Sequence, residues 1–390
     1  SISAVPNATT YTWTVPAGWI ITSGQGTIAA TISTGAVGQN GNITVTAGNV
    51  CGTSAASTLA VTVIPNASIT SVTGASPLCI GGTSTYTANG VVLSGGTGAW
   101  SSSNAAVATV SAAGLVTGIS AGTCNIIYTI TGGCGGTVSA LRAVTINPNA
   151  AITSVTGTSP LCIAGTTTYT ANGVVPGGGS GAWSSSNTAV ATVNAAGLVT
   201  GVSAGTCNII YTITGGCGGT VSAQRAVTIS PNAGITSVSG TTPLCIGGTA
   251  PYSANGVVLS GGTGAWSSSN VAIATVSAAG LVTGVSAGTC NIIYTITGGC
   301  GGTVSAQQPV TINPNASITS VTGASPLCIS GTAAYTANGV VLSGGVGAWS
   351  SSNAAVATVS AAGLVTGISA GTCNIIYTIT GGCGGTVSAQ

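Results

Sequence analysis

The chain says almost the same thing four times. Cys79, Cys162, Cys245 and Cys328 recur at one constant interval, and Trp100, Trp183, Trp266 and Trp349 share it, as do Pro65, Pro148, Pro231 and Pro314. Solenoid units repeat every 20–50 residues or so, whereas a period of roughly 80 residues suffices for a small domain with its own core. Four domain-sized repeats are therefore expected at 65–147, 148–230, 231–313 and 314–390, behind a different segment at 1–64. Residues 65–140 and 314–389 differ at only four positions, Gly81/Ser330, Ser84/Ala333, Thr85/Ala334 and Thr97/Val346, so these two copies read as recent duplicates.

Within a repeat, short β-branched runs alternate with turns rich in Gly, Asn and Ser. Strands are expected at about 68–73 (SITSVT), 83–88, 98–102, 106–110, 115–119, 124–131 (CNIIYTIT) and 137–146. Seven short strands with a turn every 8–12 residues or so predict an all-β sandwich. No stretch carries the period of an amphipathic helix. In CNIIYTIT the alternate residues Cys124, Ile126, Tyr128 and Ile130 share one face, which is assigned to the core.

The residues that are missing restrict function. The 390 residues include no Asp, Glu, His or Lys, and only two Arg, Arg142 and Arg225. General acid–base catalysis needs a group that titrates near the working pH. A serine nucleophile needs a base, and hard cations need carboxylate oxygens. Ordinary enzyme chemistry is thus close to excluded, and no catalytic residue, cofactor or metal is expected. Two arginines make no basic patch, so nucleic acid is not an expected partner. The mean hydropathy is positive. However, no apolar run approaches the roughly 18 residues of a spanning helix, so a membrane span is not expected.

Thirteen cysteines at regular positions, with no His beside them, read as disulfide chemistry in an oxidising, extracellular compartment. The CxxC spacing of structural zinc sites is absent, since Cys124 and Cys134 are ten apart.

The run WSSSNAAVATVSAAGLVTGISAGTCNIIYT, Trp100 to Thr129, resembles the bacterial immunoglobulin-like domain of group 2. The features that carry the resemblance are the tryptophan, the Ser/Asn turn and the successions vAtV, GlVtg and aGtatIt, present in all four repeats. One departure is Cys124, where a small residue usually sits. The segment PNATTYTWTVPAGWIITSGQGTIAATI, followed by GNITVTAGNVCGTSAASTLAVTV, resembles the PKD-like domains of secreted Bacteroidota proteins. The resemblance implies tandem immunoglobulin-like β-sandwich domains and a cell-surface setting. It extends to long adhesins exported by the type IX system and used in gliding, and it transfers no catalytic residue.

Trp100, Trp183, Trp266 and Trp349 are expected in the cores, as the tryptophan of the third strand in such a sandwich. Trp19, beyond a Pro-Ala-Gly turn, is the one aromatic to consider as a surface contact, with a core position the favoured reading even there. The repeat cysteines are Cys79, Cys124 and Cys134, with equivalents Cys162, Cys207 and Cys217, then Cys245, Cys290 and Cys300, then Cys328, Cys373 and Cys383. Sandwich topology puts the loop after the first strand and the start of the sixth at the same end. That favours pairing Cys79 with Cys124, Cys162 with Cys207, Cys245 with Cys290 and Cys328 with Cys373. Related secreted repeats imply a rival, Cys79 with Cys134. A third option bridges adjacent domains, because the hairpin end of one faces the opposite end of its predecessor.

Neighbouring domains join through Pro-Asn-Ala, as in TINPNASIT, with little slack. Five domains of about 35–45 Å each predict an extended rod of order 200 Å. A stalk within a long adhesin or surface filament is the expected role, with neighbouring domains of the same chain as partners. The alternative is a self-assembling fibre or sheath subunit of many copies, because near-zero net charge removes the usual repulsion between molecules. The chain begins at Ser1 without a visible targeting segment, and the fourth repeat reaches Gln390 before the VTI that ends the other three. A window cut from a longer array is expected, with strand donation between chains as the alternative.

Overall fold

The computed structural model describes all residues, Ser1–Gln390, and contains strands and turns but no helix. Contacts gather the residues into two compact units. One holds 1–155, 171–182 and 211–223; the other holds 156–170, 183–210 and 224–390.

The first unit opens with a small domain of strands β1 (Thr10–Thr14), β2 (Ile20–Ser23), β3 (Thr31–Ser33), β4 (Gly41–Asn49), β5 (Gly52–Thr53) and β6 (Ser57–Val61). β4 is central, antiparallel to β1, β5 and β6, while β2 and β3 form a separate ribbon. Alternation along TYTWT turns Tyr11 and Trp13 inward against Val45 and Ala47. The Trp13 indole donates to the Thr27 carbonyl at 2.8 Å. Gln25 accepts from the Trp13 amide and donates to its carbonyl, both at 3.1 Å, substituting for a missing ladder partner.

Repeat 1 follows in the same unit. Its strands are β7 (Ser71–Thr73), β8 (Leu78–Cys79), β9 (Thr83–Thr85), β10 (Thr87–Asn89), β11 (Thr97–Ser102), β12 (Ala108–Val110), β13 (Leu115–Gly118), β14 (Gly122–Thr131) and β15 (Val138–Asn147). One sheet runs β11-β14-β15-β8. Facing it are β12-β13-β9 and the pair β10-β7. In repeat 3, within the second unit, the strand equivalent to β9 and β10 is unbroken from Thr249 to Asn255 and joins that whole layer together. The layers are those of an immunoglobulin-like sandwich.

The core forms where the inward faces meet. Val72, Tyr86, Ala108, Val116, Cys124, Ile126, Val144 and Ile146 are all buried together. Ile126, Ile130 and Val144 have no accessible surface, and burying one such aliphatic side chain stabilises by about 1.5–3 kcal/mol. Tyr86 is buried too, and its hydroxyl donates to the Ala75 carbonyl at 2.8 Å, so its one polar atom is satisfied. Repeat 3 rebuilds this core with Tyr252, Ala274, Val282, Cys290, Ile292, Val310 and Ile312.

Trp100 is half-buried on β11 and packs on the core. Its ring meets Tyr128 edge to face, with centroids 4.9 Å apart at 72°. Trp266 with Tyr294 and Trp349 with Tyr377 repeat this geometry. Gly98 is required here, because a Cβ on it would collide with the Tyr128 hydroxyl.

Trp19 takes the core position, which corrects the surface-contact alternative. It is 5% exposed, so it is an interior residue of the first domain and no surface contact. The Pro-Ala-Gly turn sends the chain back, and Trp19 lies against Gly35.

Candidate functional site at the repeat junctions

With no ionisable cluster in any repeat, the distinctive chemistry is at the joints. In repeat 1, Ser76 accepts from the Thr145 amide at 3.1 Å and holds the segment before β8 against β15. β8 then runs parallel to the end of β15, with Leu78 opposite Ile146 and Cys79 opposite Asn147. Cys79 is therefore placed where β15 leaves the sandwich, next to the Pro148-Asn149-Ala150 link.

The third cysteine of a repeat is at the other end. β14 and β15 are joined by a hairpin whose glycines Gly132, Gly135 and Gly136 take positive φ, with Cys134 at its tip. In repeat 2 the equivalent tip holds Cys217. The Ala150 amide donates to the Cys217 carbonyl at 2.6 Å, and the Cys217 amide donates to Gly177 O at 2.9 Å. The incoming link is thus seated on the hairpin, and the hairpin faces the β8 end of the preceding repeat.

Disulfides close these joints. Cys79 bonds Cys217 with a Cα–Cα distance of 5.4 Å, and Cys162 bonds Cys300 and Cys245 bonds Cys383 at 5.2 Å each. All three join the first cysteine of one repeat to the third cysteine of the next, with a sequence separation of 138 in each case. Every pair falls inside one compact unit.

This corrects the favoured pairs Cys79 with Cys124, Cys162 with Cys207, Cys245 with Cys290, and Cys328 with Cys373. Cys79 and Cys124 do lie toward the same end, but alternation along β14 points Cys124 into the core, where it is 6% exposed. There Ser102 Oγ lies 3.7 Å from its sulfur. Cys207 and Cys290 are buried in the same way, and Cys373 is half-buried. These four are free thiols. The rival pair of Cys79 with Cys134 fails as well, because the length of β14 separates the two ends of the sandwich. The third option, a bridge between adjacent domains, is the one realised: folding brings the first cysteine of one repeat and the third of the next to the same three-residue link.

Three further thiols are free and exposed: Cys51, Cys134 and Cys328. Repeat 1 receives its link as the others do, with the Ala67 amide donating to Cys134 O at 2.7 Å. The first domain has no cysteine at that joint. Its Cys51 sits at the β4–β5 turn, while β6 leaves for repeat 1 opposite Gly41, at the far end of β4. Cys51 is thus a hairpin-tip cysteine like Cys134, in NVCGTSA against GGCGGTVSA.

Elsewhere the polar groups serve the fold. Ser103 of the SSS run accepts from the Asn125 amide at 2.9 Å, and Ser102 accepts from the Asn104 amide at 3.2 Å. Arg142 and Arg225 are exposed on the last strands of their repeats. No group of three or more His, Cys, Asp or Glu is placed to hold a metal ion, and no helix is long and apolar enough to cross a membrane.

Comparison with known proteins agrees with this layout. The family model of a PKD-like domain matches residues 1–61. That of the bacterial Ig-like domain (group 2) matches 60–137, 140–222, 223–305 and 306–387. No curated protein matches the chain. Among solved structures, surface layer protein SbsC, domains 1–6, is 15% identical, with 96% of this chain and 60% of that one covered and a TM-score of 0.24. Invasin, a bacterial integrin-binding protein, is 14% identical, with 82% and 78% covered and a TM-score of 0.33. The N-terminal eight Ig domains of Down Syndrome Cell Adhesion Molecule are 12% identical, with 98% and 56% covered and a TM-score of 0.31. Overlays this weak carry nothing about function.

Proposed function

Because the chain belongs to the bacterial immunoglobulin-like family of group 2, as four tandem domains behind a PKD-like domain, we propose that it is a non-enzymatic spacer of an extracellular bacterial surface protein. It holds a binding part away from the cell, as a stalk does. The single observation that supports this best is the bridged joint. A three-residue link and a disulfide at each joint between repeats remove the freedom that a flexible linker would give. Disulfides also suit an oxidising, extracellular setting. A surface nearly without charge responds little to salt or pH, which suits an exposed position.

A second reading is a subunit that assembles with copies of itself, favoured by the low charge and by the exposed thiols Cys51, Cys134 and Cys328. Light scattering and small-angle X-ray scattering over a concentration series separate the two. The spacer reading expects a monomer of constant mass with a maximum dimension of about 200 Å. Mass that climbs with concentration in the presence of reductant overturns it in favour of assembly.

A further inference from the structure

We infer that the disulfides convert the repeats into a doubly connected covalent cable, which carries tension through bonds and not through the sandwiches. Two routes can be traced. The first follows β7 and β8 to Cys79 and crosses to Cys217. It continues along Val221–Ser230, through the link, and along Ser237–Gly240 to Cys245, where it crosses to Cys383. The second starts at Cys134, follows β15 and Ser154–Thr156 to Cys162, and crosses to Cys300. It then follows Val304–Asn313 and Ser320–Thr322 to Cys328. Each repeat is therefore crossed by its early strands on one route and its last strand on the other. In repeats 1 and 3 these lie side by side and parallel, Cys79 opposite Asn147 and Cys245 opposite Asn313.

The consequence is a limit on extension. Along the backbone, Cys79 and Cys383 are separated by almost the whole repeat array, a contour of about 1,000 Å at about 3.5 Å per extended residue. The first route joins them through two bridges and only the short run from Cys217 to Cys245, a contour of about 100 Å. An ordinary unbridged repeat of this size, with a contour of about 290 Å and a folded length of about 40 Å, would release about 250 Å on unfolding. Here most of that length is enclosed in loops that the force bypasses. The second route ends on two exposed thiols, Cys134 and Cys328, while the first is continuous with both chain directions. This inference rests on the disulfide connectivity and adds to the spacer reading without depending on it.

Single-molecule force spectroscopy on the full chain, held at its two ends, tests this. Full extension reads covalent connectivity whether or not a sandwich has unfolded on the way. The oxidised chain is expected to stop at about 400 Å and the chain in dithiothreitol at about 1,400 Å. Two double variants provide a sharper test. Cys162→Ser with Cys300→Ser breaks only the second route and leaves the limit at about 400 Å. Cys79→Ser with Cys217→Ser raises it to about 800 Å, because the shortest route then runs to Cys162, across to Cys300, back to Cys245 and across to Cys383. An oxidised chain that extends as far as the reduced one, or two variants of equal length, overturns the inference. Scattering from the resting chain is insensitive to this result, so failure here is distinct from failure of the spacer reading.

Discussion

Truncation of Ile126 to Ala should expose one thiol selectively. Ile126 has no accessible surface and lies two residues from Cys124 on the inward face of β14. Ile126→Ala removes three carbons from a closed core, which costs about 2–5 kcal/mol, depending on how far the site collapses. Cys124 reacts with iodoacetamide only when repeat 1 opens, so its labelling rate follows the opening equilibrium while reclosing outpaces modification. At about 1.4 kcal/mol per tenfold, the rate should rise about 30- to 4,000-fold. The controls are internal: Cys207 and Cys290 are buried alike in their own repeats and should keep their wild-type rates. Chymotryptic peptides read by mass spectrometry separate Cys124 of the variant from Cys207 and Cys290, which share one peptide sequence, because the substitution itself marks the repeat 1 peptide. Equal acceleration at Cys124, Cys207 and Cys290 would refute the reasoning, since it would mean that the sandwiches do not open independently. So would Cys207 and Cys290 labelling as fast as Cys134 in the wild-type chain.

Three further outcomes are expected. Thiol titration should find seven free thiols in denaturant, with Cys51, Cys134 and Cys328 reacting first in the folded chain and Cys124, Cys207 and Cys290 protected. Burial, the leading cause, holds the hydroxyls of Tyr86, Tyr169 and Tyr252 above the ordinary tyrosine value, with Arg142 and Arg225 partly opposing it at the first two. The stabilisation is therefore complete below pH 10 or so and is lost as pH rises through the higher folded value. With no Asp, Glu or His, the thermal midpoint should be flat from about pH 4 to 8 and fall above about 10, and Tyr86→Phe should reduce that fall. Gly98→Ala should destabilise repeat 1 by about 1–3 kcal/mol in urea melts, because the new methyl displaces the Tyr128 ring from Trp100.

The sandwich was legible because its signals are local. Alternation in CNIIYTIT marks the buried face of β14, and the constant spacing of Cys, Trp and Pro marks the repeats. Two things were not legible. β8 is only Leu78 and Cys79, too short for any alternation, and it is a strand only because β15 offers a parallel edge there. The pairing of cysteines depends on side-chain direction and on which ends meet, and spacing encodes neither. Cys79 and Cys124 are close along the sandwich axis, but one faces the joint and the other the core. Trp19 kept a surface alternative for a related reason, since a turn residue's exposure is decided by what the returning chain packs over it.

The central claim is that the first cysteine of each repeat bonds the third cysteine of the next, and non-reducing peptide mapping tests it most directly. Trypsin has only Arg142 and Arg225 to cut, so chymotrypsin is the protease of choice. Its peptides differ between repeats: CIGGTSTY, CIAGTTTY, CIGGTAPY and CISGTAAY carry the first cysteines, and the hairpin peptides differ beyond TVSA. With free thiols alkylated before digestion, the linked pairs should be Cys79 with Cys217, Cys162 with Cys300 and Cys245 with Cys383. Cys124, Cys207, Cys290 and Cys373 should remain unlinked. Recovery of Cys79 joined to Cys124 or to Cys134 would contradict the account, for it would leave the joint between repeats 1 and 2 closed by its three-residue link alone.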